Sequence, residues 1–368
     1  MTEGKPLHVY YARAMDELSE ADILQDDHHT TQLLQRRGLS LSNPFSGRSA
    51  NAPDVFAATV LRNHQLLKNS GAVLVNLARP HYSYVGAIFE IAEAACLGYP
   101  VVAFCEDSEI KRRIYLQHYC EFICSTADAA IEYLWRCHTP EGIKLQLKEM
   151  QQYYENIASC YEEKSRTQYS EKETNGGSYE QERTDLQKRL REYCCGKTVL
   201  ELGCGTGDWT RHIVQKAKSV TCTDSSASML EAARKTLNAG PLVPSFVQAD
   251  VLDRDLCFPR YDVVVAYFFL SILPPPCQAT LLGRIHEWLR PKGVLLCAES
   301  QRIALLDSSG YGRRRLQFRE ANGRQFVLFK EHFSSLDMEL LLKRNGYNVS
   351  DSIAQNKWFA FCAAMSSS

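Results

Sequence analysis

The stretch "TVLELGCGTGDWT", residues 198–210, constrains the fold more than any other part of the chain. A run that is apolar but for Glu201, Val199 to Leu202, breaks into glycine at every second position: Gly203, Gly205 and Gly207. Glycine at this density belongs where the backbone must take positive φ or approach a neighbour closely. A buried strand that turns sharply and opens a helix meets both needs. The stretch therefore predicts a strand–loop–helix unit of an α/β sheet. Its spacing is G-x-G-x-G, not the G-x-G-x-x-G of a pyrophosphate-binding turn. Acid flanks it on both sides, Glu201 and Asp208, which suits a ligand carrying a positive amino group.

The rest of that half repeats the alternation. "KTVLELG", "SVTCTD", "PSFVQAD", "YDVVVAYF" and "GVLLCAES" read as five strands, with helices at 208–217, 226–238 and 277–290 between several of them. "RQFVLFKE" and "KWFAFCAA" read as two further strands around the helix "SLDMELLLKRNG". A seven-stranded sheet is expected. Asp224 closes the second strand, well placed to accept from both hydroxyls of a ribose. Asp250 closes the third, where a carboxylate can accept from adenine N6.

The first half shows a second such pattern. "LHVYYA", "AVLVNLA" and "PVVAFCED" read as strands, the middle one apolar throughout as in a parallel sheet covered on both faces. "DILQDDHHTTQLLQRRG", "DVFAATVLRNHQLLKNSG" and "TADAAIEYLWRCH" read as helices, the first stopping at Gly38. The expected class is α/β with two domains, as a length of 368 residues allows. Residues 1–138 form a small doubly wound parallel-sheet domain. Residues 139–180 are a charged, tyrosine-rich helical linker and cover, with "ETNGG" as its flexible break. Residues 181–368 form a Rossmann-like domain.

Composition narrows the function classes. A formal net charge of -1 argues against a chain whose main work is coating nucleic acid, and no nucleic-acid partner is expected. The 14 cysteines show no C-x-x-C pair and no Cys/His ligand spacing, so neither a metal site nor a disulfide framework is expected. The N-terminus has no apolar core of a signal peptide, and no apolar run reaches the about 18–20 residues needed to cross a bilayer. The expectation is a cytoplasmic protein with reduced, mostly buried cysteines.

Glu201 with its three glycines, Asp224, Asp250 and the strand "YDVVVAYFFLSILPP" together resemble the class I S-adenosylmethionine-dependent methyltransferases, over roughly residues 150–368. The resemblance implies S-adenosylmethionine as cofactor, with Glu201, Gly203, Gly205, Gly207, Asp224, Ser225, Asp250, Val251 and Tyr267 around it. The glycines would line its methionine end, Asp224 its ribose, and Asp250 with Val251 its adenine. "YYENIASCYEE", "FFLSILPP" and "RRRLQFREANGRQFVLFKE" look like a small-molecule subgroup. Members often read "LSH-P" where this chain has Leu270-Ser271-Ile272-Leu273-Pro274, so one candidate polar group is missing. No N-P-P-Y motif marks an adenine N6 enzyme, and Pro276-Cys277, read as lying in a loop before a helix, falls outside the cytosine C5 pattern. Methyl transfer asks the protein mainly to orient the acceptor, with a base needed only for a protonated one. Tyr154, with Tyr153 and Tyr161, either closes over the cofactor or packs as an aromatic stripe. Glu299, ending the fifth strand, is either an active-site acid or a solvated or salt-bridged strand end. His286 and His332 are weaker candidates. Arg313 to Arg315 read as a solvated face or as a dock for an acidic acceptor.

"YSYVGAIFEIAEAACLGYP", residues 82–100, reads as a helix meant for burial with Glu90 in its first turn. The helix dipole favours an ionised carboxylate there, just past a strand end where open α/β sheets bind ligands. With "VYYARAM" and "NHQLLKNSGAVLVNLA", this core is similar to the nucleoside 2-deoxyribosyltransferases and their nucleotide N-glycohydrolase relatives, over about residues 6–138. The resemblance implies Glu90 as nucleophile toward an N-glycosidic bond, with Tyr11 or Tyr10 at the sugar pocket and an oligomer formed through this domain. Members usually carry Asp where this chain has Asn63, often Asp at Gly71, and Gly at Ala92. Asn63 can hydrogen-bond but not transfer a proton. Glu93 reads as a solvated residue.

Two functional classes follow. One is a bifunctional enzyme that methylates a small molecule, with nucleosides and nucleotides as the candidate class, and cleaves or exchanges N-glycosidic bonds at Glu90. The other is a methyltransferase whose first domain only binds a nucleotide-like ligand or mediates oligomerisation.

Overall fold

The computed structural model describes residues 6–14, 18–45, 55–79, 84–162, 178–238, 242–301, 313–353 and 358–366. Two compact units divide the chain: Met1–Leu145 with Ser308–Arg315, and Gln146–Asp307 with Leu316–Ser368.

The first unit alternates strand and helix. β1 (His8–Arg13), α1 (Glu20–Gln35), β2 (Ser40–Ser42), α2 (Val55–Lys68), β3 (Ala72–Asn76), α3 (Val85–Cys96) and β4 (Val101–Phe104) follow in turn. The short helices α4 (Ser108–Lys111) and α5 (Ile114–Tyr119) lead to β5 (Phe122–Cys124) and α6 (Ala127–His138). The strands pair in parallel in the order β2-β1-β3-β4-β5. That order reverses direction between β1 and β3, and the crevice at their carboxyl ends is where such sheets take ligands. Local chemistry sets the helix ends. Ser19 caps α1 by accepting from Asp22 N at 3.1 Å, and Gly38 leaves it at φ +67°. β2 and β5 were not anticipated, because three-residue strands carry too little alternation to register.

α3 differs from its expectation in two ways. It begins at Val85, so Glu90 lies in its second turn and its N-terminal turn holds no acid. The helix dipole therefore acts less strongly on Glu90 than expected. Nor is the helix buried on all sides. Ala87, Ile91 and Ala94 face the core, whereas Val85, Ile88 and Phe89 are exposed.

In sequence, α7 (Pro140–Ile157) spans the division between the units. The segment "ETNGG" of the predicted linker, with residues 163–172 before it, lies outside the described residues. The second unit continues with α8 (Ser178–Cys194), β6 (Thr198–Leu202), α9 (Thr210–Ile213), β7 (Ser219–Asp224), α10 (Ala227–Leu237), β8 (Ser245–Gln248) and β9 (Tyr261–Tyr267). Then come α11 (Pro275–Trp288), β10 (Leu289–Ser300), β11 (Arg314–Ala321), β12 (Arg324–Glu331), α12 (Ser335–Arg344), β13 (Tyr347–Ser352) and β14 (Phe359–Ser366).

The large sheet has seven strands in the order β13-β14-β10-β9-β6-β7-β8. β14 runs antiparallel to both neighbours, and the pairings from β10 to β8 are parallel. One strand was misassigned from sequence. "RQFVLFKE" is β12, and it pairs with β11 in a separate two-stranded sheet. Asn322 (φ 52°) and Gly323 (φ 72°) close that hairpin with the left-handed pair a two-residue turn requires. The seventh strand of the sheet is β13, "YNVSDS". Its polar residues fit an edge strand and hid it from a search for apolar runs.

Candidate functional site

The second unit's site is built on the turn after β6. Gly203, Gly205 and Gly207 all take positive φ, at 62°, 55° and 86°. Their surroundings differ. A Cβ at Gly203 would lie 2.4 Å from the Phe269 ring, and one at Gly207 would meet Leu237 at 2.9 Å. A Cβ at Gly205 would meet nothing within 4 Å. Gly203 and Gly207 are thus packing glycines, while Gly205 shows a bare backbone to open space.

Carboxylates brace this loop from beneath. Asp224 accepts from Gly205 N through Oδ2 and from Ser226 N through Oδ1, both at 2.9 Å. Burial pushes its pKa up. Glu201 is 3% exposed and accepts from Thr210 Oγ1 at 2.6 Å. Burial pushes its carboxyl up to about 7. Ser225 borders Asp224, its carbonyl accepting from Gln151 and Gln248. Asp250 is exposed and caps a turn by accepting from Leu252 N at 2.9 Å, with Val251 buried beside it. Tyr267 turns its ring into the core beside Trp209 and Phe361. Its buried hydroxyl has no hydrogen-bond partner among the described residues.

Several expectations need correction. Asp208 is not an acid waiting for an amino group, since Arg183 (2.7 Å) and Arg211 (2.9 Å) already pair with it. Tyr154 belongs to a packed aromatic cluster with Tyr153 and Tyr161 against Phe326. Burial raises its hydroxyl pKa well above the ordinary value, and Asp224 is among the charges it feels. His286 bonds Ser366 and Asn345 and stacks on Tyr347, a structural role. Cys277 is buried in the first turn of α11, not in a loop before it. In the Arg313–Arg315 run, Arg314 is buried and pairs with Glu121 at 2.6 Å, so the run is not a solvated face.

Sequence reasoning missed some residues near the loop. Glu155 of α7 accepts from Ser226 and Ser228 at the start of α10. Glu162 accepts from Thr206 and Arg211, both at 3.3 Å. Both lie in the segment "YYENIASCYEE", but their partners lie on distant segments, so no local pattern showed the contacts.

Glu299 ends β10 with 0% exposure, not as a solvated strand end. Its Oε1 accepts from Ser271 N at 3.0 Å, and its Oε2 has no hydrogen-bond partner among the described residues. Burial pushes its carboxyl up to about 7, against the opposing charge of Lys330.

Residues 199–293 match the family model for a methyltransferase domain. The second unit thus contains a methyltransferase domain. Similar curated proteins include carboxy-S-adenosyl-L-methionine synthase of Shewanella amazonensis, 33% identical over 158 residues that cover 40% of this chain and 62% of that protein. Malonyl-[acyl-carrier protein] O-methyltransferase of Halalkalibacterium halodurans is 32% identical over 105 residues, covering 27% of this chain and 38% of that one. The chain therefore spans less than two thirds of the length of these relatives. Among solved structures, the DhpI-SAH complex is 22% identical, with coverage of 61% and 98% of the two chains and a TM-score of 0.49. The cofactor of the methyltransferase domain is S-adenosylmethionine, and the residues present fit it. Gly205 offers backbone with room for a ligand. Buried Glu201 and Asp224 carry charge at a desolvation cost that a cationic ligand offsets. Among the described residues no His/Cys/Asp/Glu group could hold a metal, and no helix is long and apolar enough to cross a membrane.

In the first unit, Glu90 meets Tyr10 and Asn63. Tyr10 Oη donates to Glu90 Oε1 at 2.5 Å, and Asn63 Nδ2 to the same oxygen at 3.3 Å. Tyr11 does not join them. Adjacent residues of a strand face opposite sides, and Tyr11 donates to Asp26 and accepts from Asn76. Burial pushes its hydroxyl up to about 12. Glu93 pairs with His64 and is not simply solvated. A Cβ at Gly71 would meet only the flexible end of the Leu7 side chain, at 2.8 Å.

Proposed function

We propose that the second unit transfers the methyl group of S-adenosylmethionine to a small-molecule acceptor, with nucleosides and nucleotides as the candidate class. The observation that carries this reading is the Gly205 backbone, open to a ligand and held by Asp224 at 2.9 Å. When bound, the cofactor supplies a methyl group already activated on a sulfonium. The chain's part is orientation and exclusion of water. Glu201, Gly205 and Asp224 would hold its cationic and ribose ends.

Calorimetry with S-adenosylmethionine and S-adenosylhomocysteine tests the cofactor. Transfer of a labelled methyl group to a panel of nucleosides and their 5′-monophosphates tests the acceptor. A protein that binds neither adenosyl compound ends the reading.

A second activity is proposed for the first unit: cleavage or exchange of the N-glycosidic bond of a nucleoside or nucleotide, with Glu90 as nucleophile. Its support is the pair of donors, Tyr10 and Asn63, on one oxygen of Glu90. Such donors aim a carboxylate, as stabilising an oxocarbenium-like sugar requires. Release of free base from the same panel, absent in Glu90→Ala, supports this activity. No release, with or without an added acceptor base, leaves the unit as a binding domain.

A further inference from the structure

Glu299 and its neighbours sit where the carboxyl ends of β9 and β10 meet the end of β12. Ser271, two residues past the Phe269 that covers Gly203, donates its N–H to Glu299 Oε1 at 3.0 Å. Lys330 Nζ donates to Ser271 Oγ at 2.6 Å. Glu331 accepts from Gln278 at 2.7 Å. Glu299 thus lies on the glycine-loop side of the sheet, wholly buried, with Oε2 unpartnered among the described residues.

That unpartnered oxygen is hard to explain structurally. Burying an unpaired charged or polar atom is costly. A glutamine at 299 would accept the same Ser271 N–H without the charge. The carboxylate makes sense if Oε2 meets a hydrogen-bond donor that arrives with a substrate.

We infer that Glu299 is the general base of the methyl transfer and that the acceptor is a neutral hydroxyl or amine, bonded through its O–H or N–H to Oε2. This rests on the methyl-transfer reading above. As the acceptor heteroatom forms its bond to the methyl carbon, the carbon–sulfur bond breaks and its electron pair stays on sulfur. The proton leaves the acceptor for Glu299, whose carboxylic acid then releases it to solvent. The charge balances: a sulfonium and a carboxylate are consumed, and a thioether and a neutral acid are formed. A carboxylate acceptor fits poorly, because it would be a further anion beside Glu299 and Glu331. Burial supplies the dry setting in which such a proton transfer is efficient.

The test compares wild type with Glu299→Gln. Labelled methyl transfer is measured to adenosine, guanosine, cytidine, uridine and catechol as hydroxyl and amine probes, and to malonate and benzoate as carboxylate probes. We expect transfer to the first set only, and a fall in kcat of about 100-fold or more in the variant. The affinity for S-adenosylmethionine by calorimetry should change less than about threefold, against the tenfold steps that count as a binding effect. A variant with kcat within threefold of wild type, or transfer confined to the carboxylates, overturns the proposal. Infrared difference spectra between the two proteins give a readout without turnover. The Glu299 carboxyl should titrate near pH 7, the charges facing it being Lys330, Glu331 and the Cys297 thiol. A carboxyl still protonated at pH 9, and so unable to take a proton from the acceptor, overturns the proposal on its own. Loss of S-adenosylmethionine binding in wild type would instead remove the reading beneath it.

Discussion

Asp224 and Gly205 are joined by a hydrogen bond of 2.9 Å from the Gly205 N–H to Asp224 Oδ2. One side chain at the end of β7 thereby fixes the turn that follows β6. The turn needs such a partner, because at φ 55° the Gly205 amide points away from any ladder. A second bond, from Ser226 N, occupies Oδ1. A carboxylate offers about four acceptor positions, so both oxygens retain capacity for ribose hydroxyls.

Asp224→Ala removes the brace and the ribose acceptor together. We expect S-adenosylmethionine to bind roughly 10- to 100-fold more weakly, as loss of hydrogen bonds to a charged group implies. Asp224→Asn should fall in between, since its carbonyl still accepts one of the two N–H groups. Calorimetry at fixed pH and salt decides it. Wild-type affinity in both variants would mean that Asp224 serves the loop alone.

Gly203 and Gly205 should fail in different ways. At Gly203 a methyl group meets the Phe269 ring, so Gly203→Ala should cost roughly 1–3 kcal/mol of stability. Gly205→Ala meets no atom and should cost about 1 kcal/mol, from its left-handed backbone. Its methyl group occupies the space left to the ligand, so cofactor binding should suffer more than folding. Denaturant melts and calorimetry on the two variants separate these effects. Equal losses of binding at equal stability would contradict the division.

Much of this was legible in sequence, and the reasons are local. Glycine spacing and strand-end acids are read directly, because turn and ligand contacts there depend on neighbouring residues. The succession of strands and helices along the chain followed from alternation, whereas their order within each sheet did not. β13 escaped because an edge strand needs few apolar residues, and β12 misled because a hairpin sheet can bury one as apolar. The Asn322-Gly323 dipeptide was the signal that could have placed it. Tyr10 and Tyr11 could not be told apart in advance, since a one-residue shift in a strand exchanges its faces. Glu155, Glu162 and the Arg183–Asp208 pair depend on contacts between distant segments, which no local pattern carries.

Tyr10→Phe and Tyr11→Phe test the face assignment. Tyr10→Phe removes a donor to Glu90 and keeps the ring in the core. Base release should drop roughly 10- to 100-fold, the worth of one strong hydrogen bond to a charged group, with stability little changed. Tyr11→Phe removes bonds to Asp26 and Asn76 on the other face. It should cost about 1–2 kcal/mol in stability and leave base release within a few-fold. The reverse pattern would place the sugar site beside Tyr11.

Glu201 gives a prediction with a definite sign. Its folded pKa, about 7, lies above the ordinary 4.5 because burial penalises its charge. The folded state therefore keeps a proton through the window between those values, while the unfolded state loses it. The associated stability is fully present below about pH 4.5 and is lost as pH rises through about 7. Glu201→Gln cannot titrate and lacks this slope. The stability of wild type relative to that variant should fall across the window by up to ~3 kcal/mol, since each tenfold difference in proton affinity between the two states is worth about 1.4 kcal/mol. A cationic ligand over the loop favours the ionised carboxylate and lowers its pKa. The stabilisation by S-adenosylmethionine should thus grow with pH in wild type and stay level in Glu201→Gln. Urea denaturation at pH 5, 6, 7 and 8, with and without S-adenosylmethionine, measures both trends. A wild-type difference that is flat with pH would show that Glu201 is already ionised when folded, and this residue would then have no desolvation cost for a cationic ligand to offset.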